Sequence, residues 1–335
     1  MPMKRIMVTG GAGFIGSAFV RYALDAHPDL FVVVFDKLTY AGNPANLELA
    51  DANRFAFVRG DIADRDALGA AMEGCDAVVN FAAESHVDRS IQGADDFIRT
   101  NVTGVYHLCG CVHELGIQRA LHVSTDEVYG SIDEGAFREM DPVAPGNPYA
   151  ASKAGGELIA LSHYRTFGTP VIITRGSNTY GPYQYPEKVL PLFVTNAIDD
   201  EPLPLYEGGE RNVRDWLHVD DHCRAIDCAL RRGEPGSVYN IAGGNERENI
   251  VLTQRILDLL GKNASLIRKV KDRPGHDRRY AIDASRIRAL GWRPEVAWDE
   301  GIAQTVAWYQ RNEAWWRPLK SGAFRAYYER QYGTR

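Results

Sequence analysis

An α/β protein with a doubly wound parallel sheet and a smaller C-terminal lobe is the fold class predicted by this 335-residue sequence. Three observations carry the prediction. Short apolar runs alternate with helical patterns through the first half. A glycine-rich turn joins the first run to the first helical stretch. The rhythm then changes after about Gly176, where Pro and Gly become dense. Short apolar strands separated by crossover helices imply a parallel sheet covered on both faces. Right-handed crossovers make it doubly wound.

The strands are expected at Arg5–Thr9, Phe31–Phe35, Ala56–Arg59, Ala77–Phe81, Ala120–Ser124 and Val171–Thr174. Amphipathic stretches at Phe14–Ala26, Asp64–Met72, Phe97–Leu115 and Tyr149–Phe167 supply the helices between them. Residues 1–176 form the expected dinucleotide-binding domain, to which some later segments return. Residues 177–335 form a second lobe and tail over the edge where α/β proteins bind ligands. The aromatic and Arg-rich tail, Trp308 to Tyr332, reads as a packed terminal helix.

Composition narrows the function. Hydrophobic content is 45%, charged content 24% and net charge −6, so no global basic field for nucleic acid exists. Five cysteines without regular spacing argue against a disulfide framework. Cys109 and Cys111 read as small buried apolar groups, and no metal site is expected. No apolar run approaches the length that crosses a bilayer, and Met3 to Thr9 reads as a strand rather than a signal peptide. A cytoplasmic enzyme without a membrane or nucleic-acid partner is expected.

The segment Thr9 to Gly16 follows the first strand and opens a helix, with Gly10, Gly13 and Gly16 spaced as G-x-x-G-x-x-G. Gly10 permits the turn, Gly13 lets backbone N–H groups approach a pyrophosphate, and Gly16 lets helix and strand pack closely. Asp36 stands 20 residues after Gly16, at the end of the second strand, where a carboxylate accepts from ribose hydroxyls. It would repel a 2′-phosphate, so NAD is favoured over NADP; Lys37 beside it is the counter-signal. Asp61, after the third strand, either accepts from the adenine amino group or caps the next helix. Ala82 and Ala83 leave room for a cofactor across the fourth strand end.

Tyr149 and Lys153 are four apart on a helix and share a face. A phenol is a poor base near neutrality unless an ammonium and a positive nicotinamide favour its anion. Thr125, Asp126 and Glu127 lie between this pair and the glycine motif. A dehydrogenase needs the hydroxyl; two adjacent carboxyl groups are surplus to hydride transfer and can move protons at two carbons.

Gly10 to Gly16 with Tyr149 and Lys153 resembles the extended short-chain dehydrogenase/reductase superfamily. Glu84–Ser90, Ser124–Gly130, Ser177–Gln184, Pro186–Lys188, Arg214–Trp216 and Asp272–His276 are similar to the motifs of the dTDP-glucose 4,6-dehydratase family. The resemblance runs from Lys4 to at least Trp292. It implies a tightly bound NAD regenerated each cycle, dTDP-glucose as substrate, and a homodimer. The helical stretches Phe97–Leu115 and Tyr149–Phe167 are long enough for an intersubunit bundle, and equally suited to covering the sheet.

It also implies a division of labour. Tyr149 takes the O4 proton while the C4 hydride goes to NAD. The C4 ketone makes the C5 hydrogen acidic. Glu127 then removes it, Asp126 protonates the departing O6, and Thr125 hydrogen-bonds the O4 region. Phe14, Ile15, Leu38, Thr39, Ile62, Ser85, Thr100 and Thr179 join the expected cofactor site; Thr179 stands where many relatives have a second Asn. For the nucleotide sugar the expected residues are Ser85, His86, Asn178, Lys188, Val189, Pro204, Leu205, Tyr206, Asn249, Asp272, Arg273 and His276. The diphosphate falls to Arg211 or Arg214, because the stretch between Tyr206 and Arg214 is a residue longer than the family pattern. The rivals are an epimerase, a decarboxylase or another nucleotide-sugar dehydratase, and a silent NAD-binding scaffold. An epimerase needs no Asp126–Glu127 pair, and a scaffold could dispense with Tyr149, Lys153 and Glu127.

Overall fold

In a computed structural model, which describes residues 3–48 and 52–332, seven parallel strands form the main sheet. In chain order the strands are β1 (Arg5–Thr9), β2 (Phe31–Asp36), β3 (Phe55–Arg59), β4 (Ala77–Asn80), β5 (Arg119–Thr125), β6 (Val171–Gly176), β7 (Asn178–Tyr180), β8 (Leu203–Tyr206), β9 (Val213–His218), β10 (Val238–Ile241), β11 (Glu246–Glu248) and β12 (Ile267–Val270). The main sheet runs β10-β6-β5-β4-β1-β2-β3, so strand order reverses between β1 and β4. That reversal opens the crevice where such sheets bind ligands. Neighbouring strands are in register to their last residues: Thr9 pairs with Phe35 and Asn80, and Thr125 with Gly176.

The strands are apolar on both faces because both faces are covered. Ile6, Val8, Val32, Val34 and Val79 pack under α1 (Phe14–Ala26), while Met7, Val33, Phe35 and Val78 pack under α2 (Arg65–Met72). Next in order come α3 (Val87–Gln92), α4 (Asp95–Ile98), α5 (Val105–Glu114), α6 (Pro148–Phe167), α7 (Val189–Ile198), α8 (Val219–Arg232) and α9 (Asn249–Leu260). α5 and α6 share the α2 face, and Cys109 and Cys111 are buried there.

The expected helix Phe97–Leu115 begins earlier, at Asp95, and carries a π-turn over Arg99–Gly104. The turn brings buried Asn101 to the loop after β4. Its amide donates to the Glu84 carbonyl at 2.9 Å and to Ser152 Oγ at 2.8 Å, and its oxygen accepts from Glu84 N–H at 2.9 Å. An unusual helical turn here serves a loop at the site.

Two elements beyond Gly176 return to the main sheet. β10 adds parallel to β6, and α8 packs beside α1. The lobe over the strand ends is built from β11-β9-β7, the pair β12-β8, α7, α9 and the helix Trp298–Arg311 around their own core. The tail contributes Trp308, Trp315, Trp316 and Phe324 to that core.

Candidate active site

The C-terminal strand ends face a cleft of about 300 Å3, continuous with a second cavity of about 150 Å3 under the lobe. Glu127, Asn178, Glu187 and Lys188 line both. The first cleft takes Gly10, Gly13, Phe14, Ile15 and Gly16 from the turn into α1. Gly10 has a φ of 65°, and a Cβ on it would lie 2.5 Å from the Ala82 nitrogen. A Cβ on Gly16 would lie 2.2 Å from the Gly10 carbonyl oxygen. Backbone thus replaces side chain where β1 enters α1. The first turn of α1 carries no acidic residue, so its N-terminus can meet phosphate unopposed.

Asp36 is buried at the end of β2. Its carboxylate accepts from Ala12 N–H at 2.9 Å and Leu38 N–H at 2.8 Å. Burial pushes it up and these two N–H groups oppose the shift. Each oxygen keeps a further acceptor direction for a ribose hydroxyl. Lys37 does not face Asp36: its Nζ pairs with Asp61 at 3.0 Å, and Arg99 joins Asp61 at 2.8 Å. Burial works against the Asp61 carboxylate, but the Ala63 N–H and these two cations outweigh it and hold the group below its ordinary value. The N-cap of α2 is Asp64, so capping is not the work of Asp61. Lys37, Thr39, Ile62, Ala82, Ala83, Ser85, Thr100 and Thr179 also line this cleft. Leu38 does not line it; its side chain packs against the core and its N–H is spent on Asp36.

Tyr149 lies in the first turn of α6, which Asn147 caps by accepting from Ala150 N–H at 2.9 Å. Burial first, then the Glu127 charge, push the Tyr149 phenol well up; contact with the Thr125 hydroxyl works the other way. The pocket therefore holds a phenol until positive charge arrives beside it. Lys153 is buried one turn on and donates to the Val123 carbonyl at 2.7 Å. Burial pushes its ammonium down to about 8, against the pull of Glu157.

Thr125 ends β5 and caps the 3-10 turn Asp126–Tyr129, accepting from Glu127 N–H at 3.3 Å. Neither carboxyl group is the cap. Asp126 is 3% exposed and is held well above the ordinary carboxylate range by burial, then by Glu127 and Asp215. Asp126 Oδ2 and Glu127 Oε2 are buried without hydrogen-bond partners among the described residues. One carboxyl group pushed toward its protonated form beside a second one is the arrangement that separates an acid from a base.

Arg211 and Arg214 are placed differently with respect to the second cavity. Arg211 is exposed on the turn Gly209–Arg211, whereas Arg214 is buried in β9 and lines the cavity. Arg211 ends the turn before β9, whereas β9 is buried from Arg214 to His218. Arg214 is braced by the Val213 and Asp277 carbonyls, each at 2.8 Å, and lies 4.3 Å from the Tyr280 ring centre. Arg273 pairs with Asp88 at 2.9 Å, and its Nε is buried without a partner among the described residues. His86, Val189, Pro204, Leu205, Tyr206, Asn249 and His276 line the same cavity. Burial, then Arg273, push His276 down. Asp272 does not line it; it meets His276 Nδ1 at 2.7 Å and so orients the ring. Lys188 Nζ donates to the Ser85 carbonyl at 2.6 Å, where the two cavities join.

Sequence reading missed Asp88, Glu187, Asp215, Tyr280 and His222. Asp88, Glu187 and Asp215 lie inside recognised motifs, yet only the fold shows what they touch. Glu187 holds Arg89 at 3.0 Å, and Arg89 lies 4.0 Å and 4.6 Å from the ring centres of Tyr40 and Tyr327. His222 lines the cofactor cleft with Nδ1 at 2.8 Å from the Thr179 hydroxyl.

Residues 7–305 match the family described as GDP-mannose 4,6 dehydratase. A dTDP-glucose 4,6-dehydratase from Streptomyces niveus is 52% identical over 323 residues, covering 95% of this chain and 96% of the relative. The chain belongs to the dTDP-glucose 4,6-dehydratase family. The crystal structure of DesIV, the family enzyme of Streptomyces venezuelae with NAD and dTDP bound, superposes with a TM-score of 0.92 at 55% identity, covering 94% of this chain and all of that one. The family enzyme of Bacillus anthracis in complex with NAD gives 0.88 at 47% identity, covering 94% and 99%.

Given the cavity, Arg214→Ala is expected to raise KM for the nucleotide sugar about 10- to 100-fold, since a hydrogen bond to a charged group contributes roughly 1.5–3 kcal/mol. Arg211→Ala is expected to leave it unchanged. Steady-state kinetics on the two variants checks the distinction.

Proposed function

We propose that this cleft converts dTDP-glucose to dTDP-4-keto-6-deoxy-glucose, with the roles divided among Thr125, Asp126, Glu127, Tyr149 and Lys153. The single observation that carries the reading is buried Asp126 next to half-buried Glu127 beside Tyr149, with Glu127 at the junction of the two cavities. NAD fits the first cleft: Gly10 to Gly16 cradle phosphate, and Asp36 offers acceptors to ribose. When bound, NAD takes the hydride from C4 and supplies it to C6.

The remaining steps belong to the protein. Tyr149, as phenolate, takes the O4 proton; Lys153 and the N-terminal end of α6 favour that anion. The C4 ketone lowers the barrier to losing the C5 proton, which Glu127 removes. Asp126, protonated because it is buried beside other carboxyl groups, gives its proton to O6 as the C6–O6 bond breaks. Glu127 then returns a proton to C5. Arg214, Arg273 and His276 face the diphosphate and nucleoside from the lobe, with Asn178, Lys188 and Asn249 as further donors.

We also infer a homodimer through α5 and α6. Tyr106 at 54% exposed and Leu158 at 59% leave apolar surface on these helices, which contiguous patches use for association. A cytoplasmic setting suits the five unpaired cysteines. Among the described residues no helix is long and apolar enough to cross a membrane. Residues 1–176, with β10 and α8 returning to them, are assigned mainly to the cofactor, and the rest of 177–335 mainly to the nucleotide sugar.

The test is to offer purified protein dTDP-glucose, UDP-glucose and GDP-mannose, and to detect keto sugar by alkaline absorbance and mass. Product from dTDP-glucose is expected. Its absence there, or preference for either other sugar, overturns the reading.

A further inference from the structure

We propose that Asp88 is a positioning residue for the nucleotide sugar: it fixes the Arg273 guanidinium so that the Nε–Nη2 edge meets the diphosphate. The inference rests on the reading above that Arg273 faces the diphosphate.

Asp88 is a charge in an unfavourable place. Lys188, Arg214, Arg273 and His276 line the second cavity, yet Asp88 stands in the same wall. A carboxylate there repels a diphosphate. Stability does not account for it, because a buried ion pair is often no more stable than well-packed apolar residues of the same size. An orienting role does account for it.

Asp88 is 4% exposed and both of its oxygens are engaged. Oδ1 accepts from Arg273 Nη1 at 2.9 Å. Oδ2 accepts from the Tyr206 hydroxyl at 3.1 Å. Gln331 Nε2 donates to that hydroxyl at 3.0 Å, which leaves the phenol's own proton for Asp88. The carboxylate is thereby held from two sides. The backbone adds a further fixed point, since Arg273 N–H donates to the Asp272 carboxylate at 2.8 Å. A guanidinium is planar and carries its donors on fixed edges. With Nη1 tied to Asp88, the roll of that plane is set. Nε is buried without a partner among the described residues and keeps its N–H for a ligand. Nε and Nη2 together make a fork that matches two phosphate oxygens.

The segment Ser85–Arg89 explains how a carboxylate of the first domain reaches an arginine of the lobe. It meets the lobe at three points. The Ser85 carbonyl accepts from Lys188, Asp88 takes Arg273, and Arg89 pairs with Glu187 at 3.0 Å. The ties on either side keep Asp88 in place.

The test is calorimetric titration of the NAD-loaded protein with dTDP and with thymidine, which lacks the diphosphate. Asp88→Leu removes both charge and acceptor; Asp88→Asn removes the charge but keeps an oxygen for Nη1. Asp88→Leu is expected to bind dTDP about 10-fold more weakly, the scale of one hydrogen bond to a charged group, and thymidine as the wild type does. Asp88→Asn is expected to stay within about threefold of the wild type for both ligands. If charge alone mattered, both variants would bind dTDP more tightly. Unchanged or raised dTDP affinity in Asp88→Leu, or equal shifts in the two variants, overturns the proposal. An equal loss of thymidine affinity overturns it as well and leaves Asp88 a structural residue.

Should Asp88→Leu not fold, Arg273→Lys tests the same point from the other side. It keeps the cation and loses the fork, and is expected to bind dTDP about 10-fold more weakly. Wild-type affinity in that variant overturns the proposal. If Arg273→Ala binds dTDP like the wild type, the reading that places Arg273 on the diphosphate fails, and the positioning role falls with it.

Discussion

Tyr149→Phe is expected to lower kcat by about 10²- to 10⁴-fold, the range that general acid–base groups contribute. The substitution removes one oxygen and little else. The ring stays edge-on to Phe97 with centres 6.3 Å apart, and it remains buried at the start of α6. Thermal unfolding and NAD affinity should therefore stay close to the wild-type values. What disappears is the acceptor for the O4 proton, without which C4 is not oxidised and nothing downstream can begin. Mixing the variant with dTDP-glucose and following the reduced nicotinamide absorbance checks this. The expected trace is flat; a rapid rise would show that another group takes the O4 proton.

Glu127→Gln is expected to fail one step later. Gln keeps the shape of the side chain but cannot accept the C5 proton. Oxidised sugar and reduced nicotinamide should build up on the protein, while 4-keto-6-deoxy product falls by about 10²- to 10⁴-fold. The variant carries a second signature. The Glu127 charge helps to hold both the Tyr149 phenol and the Asp126 carboxyl above their ordinary values. Removing it lowers both, so the phenolate forms at lower pH. The oxidation half-reaction of the variant should then reach its plateau at lower pH than that of the wild type. Unchanged turnover, or an oxidation profile displaced to higher pH, contradicts the assigned role.

What the sequence makes legible here is what chain neighbours decide. Gly10 to Gly16, the i,i+4 spacing of Tyr149 and Lys153, and the Thr125–Glu127 triplet each carry their geometry within a few residues. The strand ends at Thr9, Asp36 and Thr125 follow from apolar runs that stop where the crevice begins. Contacts between distant segments do not show themselves this way. Asp88 and Arg273 meet across 185 positions, and nothing local marks either as the other's partner. Arg211 and Arg214 are equivalent on paper; one ends an exposed turn and the other lies in the buried strand β9. Leu38 and Asp272 look like ligand contacts because of where they stand, yet one spends its N–H on Asp36 and the other orients His276. β10 and α8 join the first sheet because its edge strand β6 and the face beside α1 need covering, a demand that arises only once the sheet is built.

Oxidation, elimination and reduction on one sugar in one cleft are the centre of this account, and dTDP-glucose carrying deuterium at C4 tests them together. Turned over by the purified protein and read by NMR, the label is predicted to appear at C6 of the 4-keto-6-deoxy product. Deuterium still on C4, or lost to the solvent, would contradict the account.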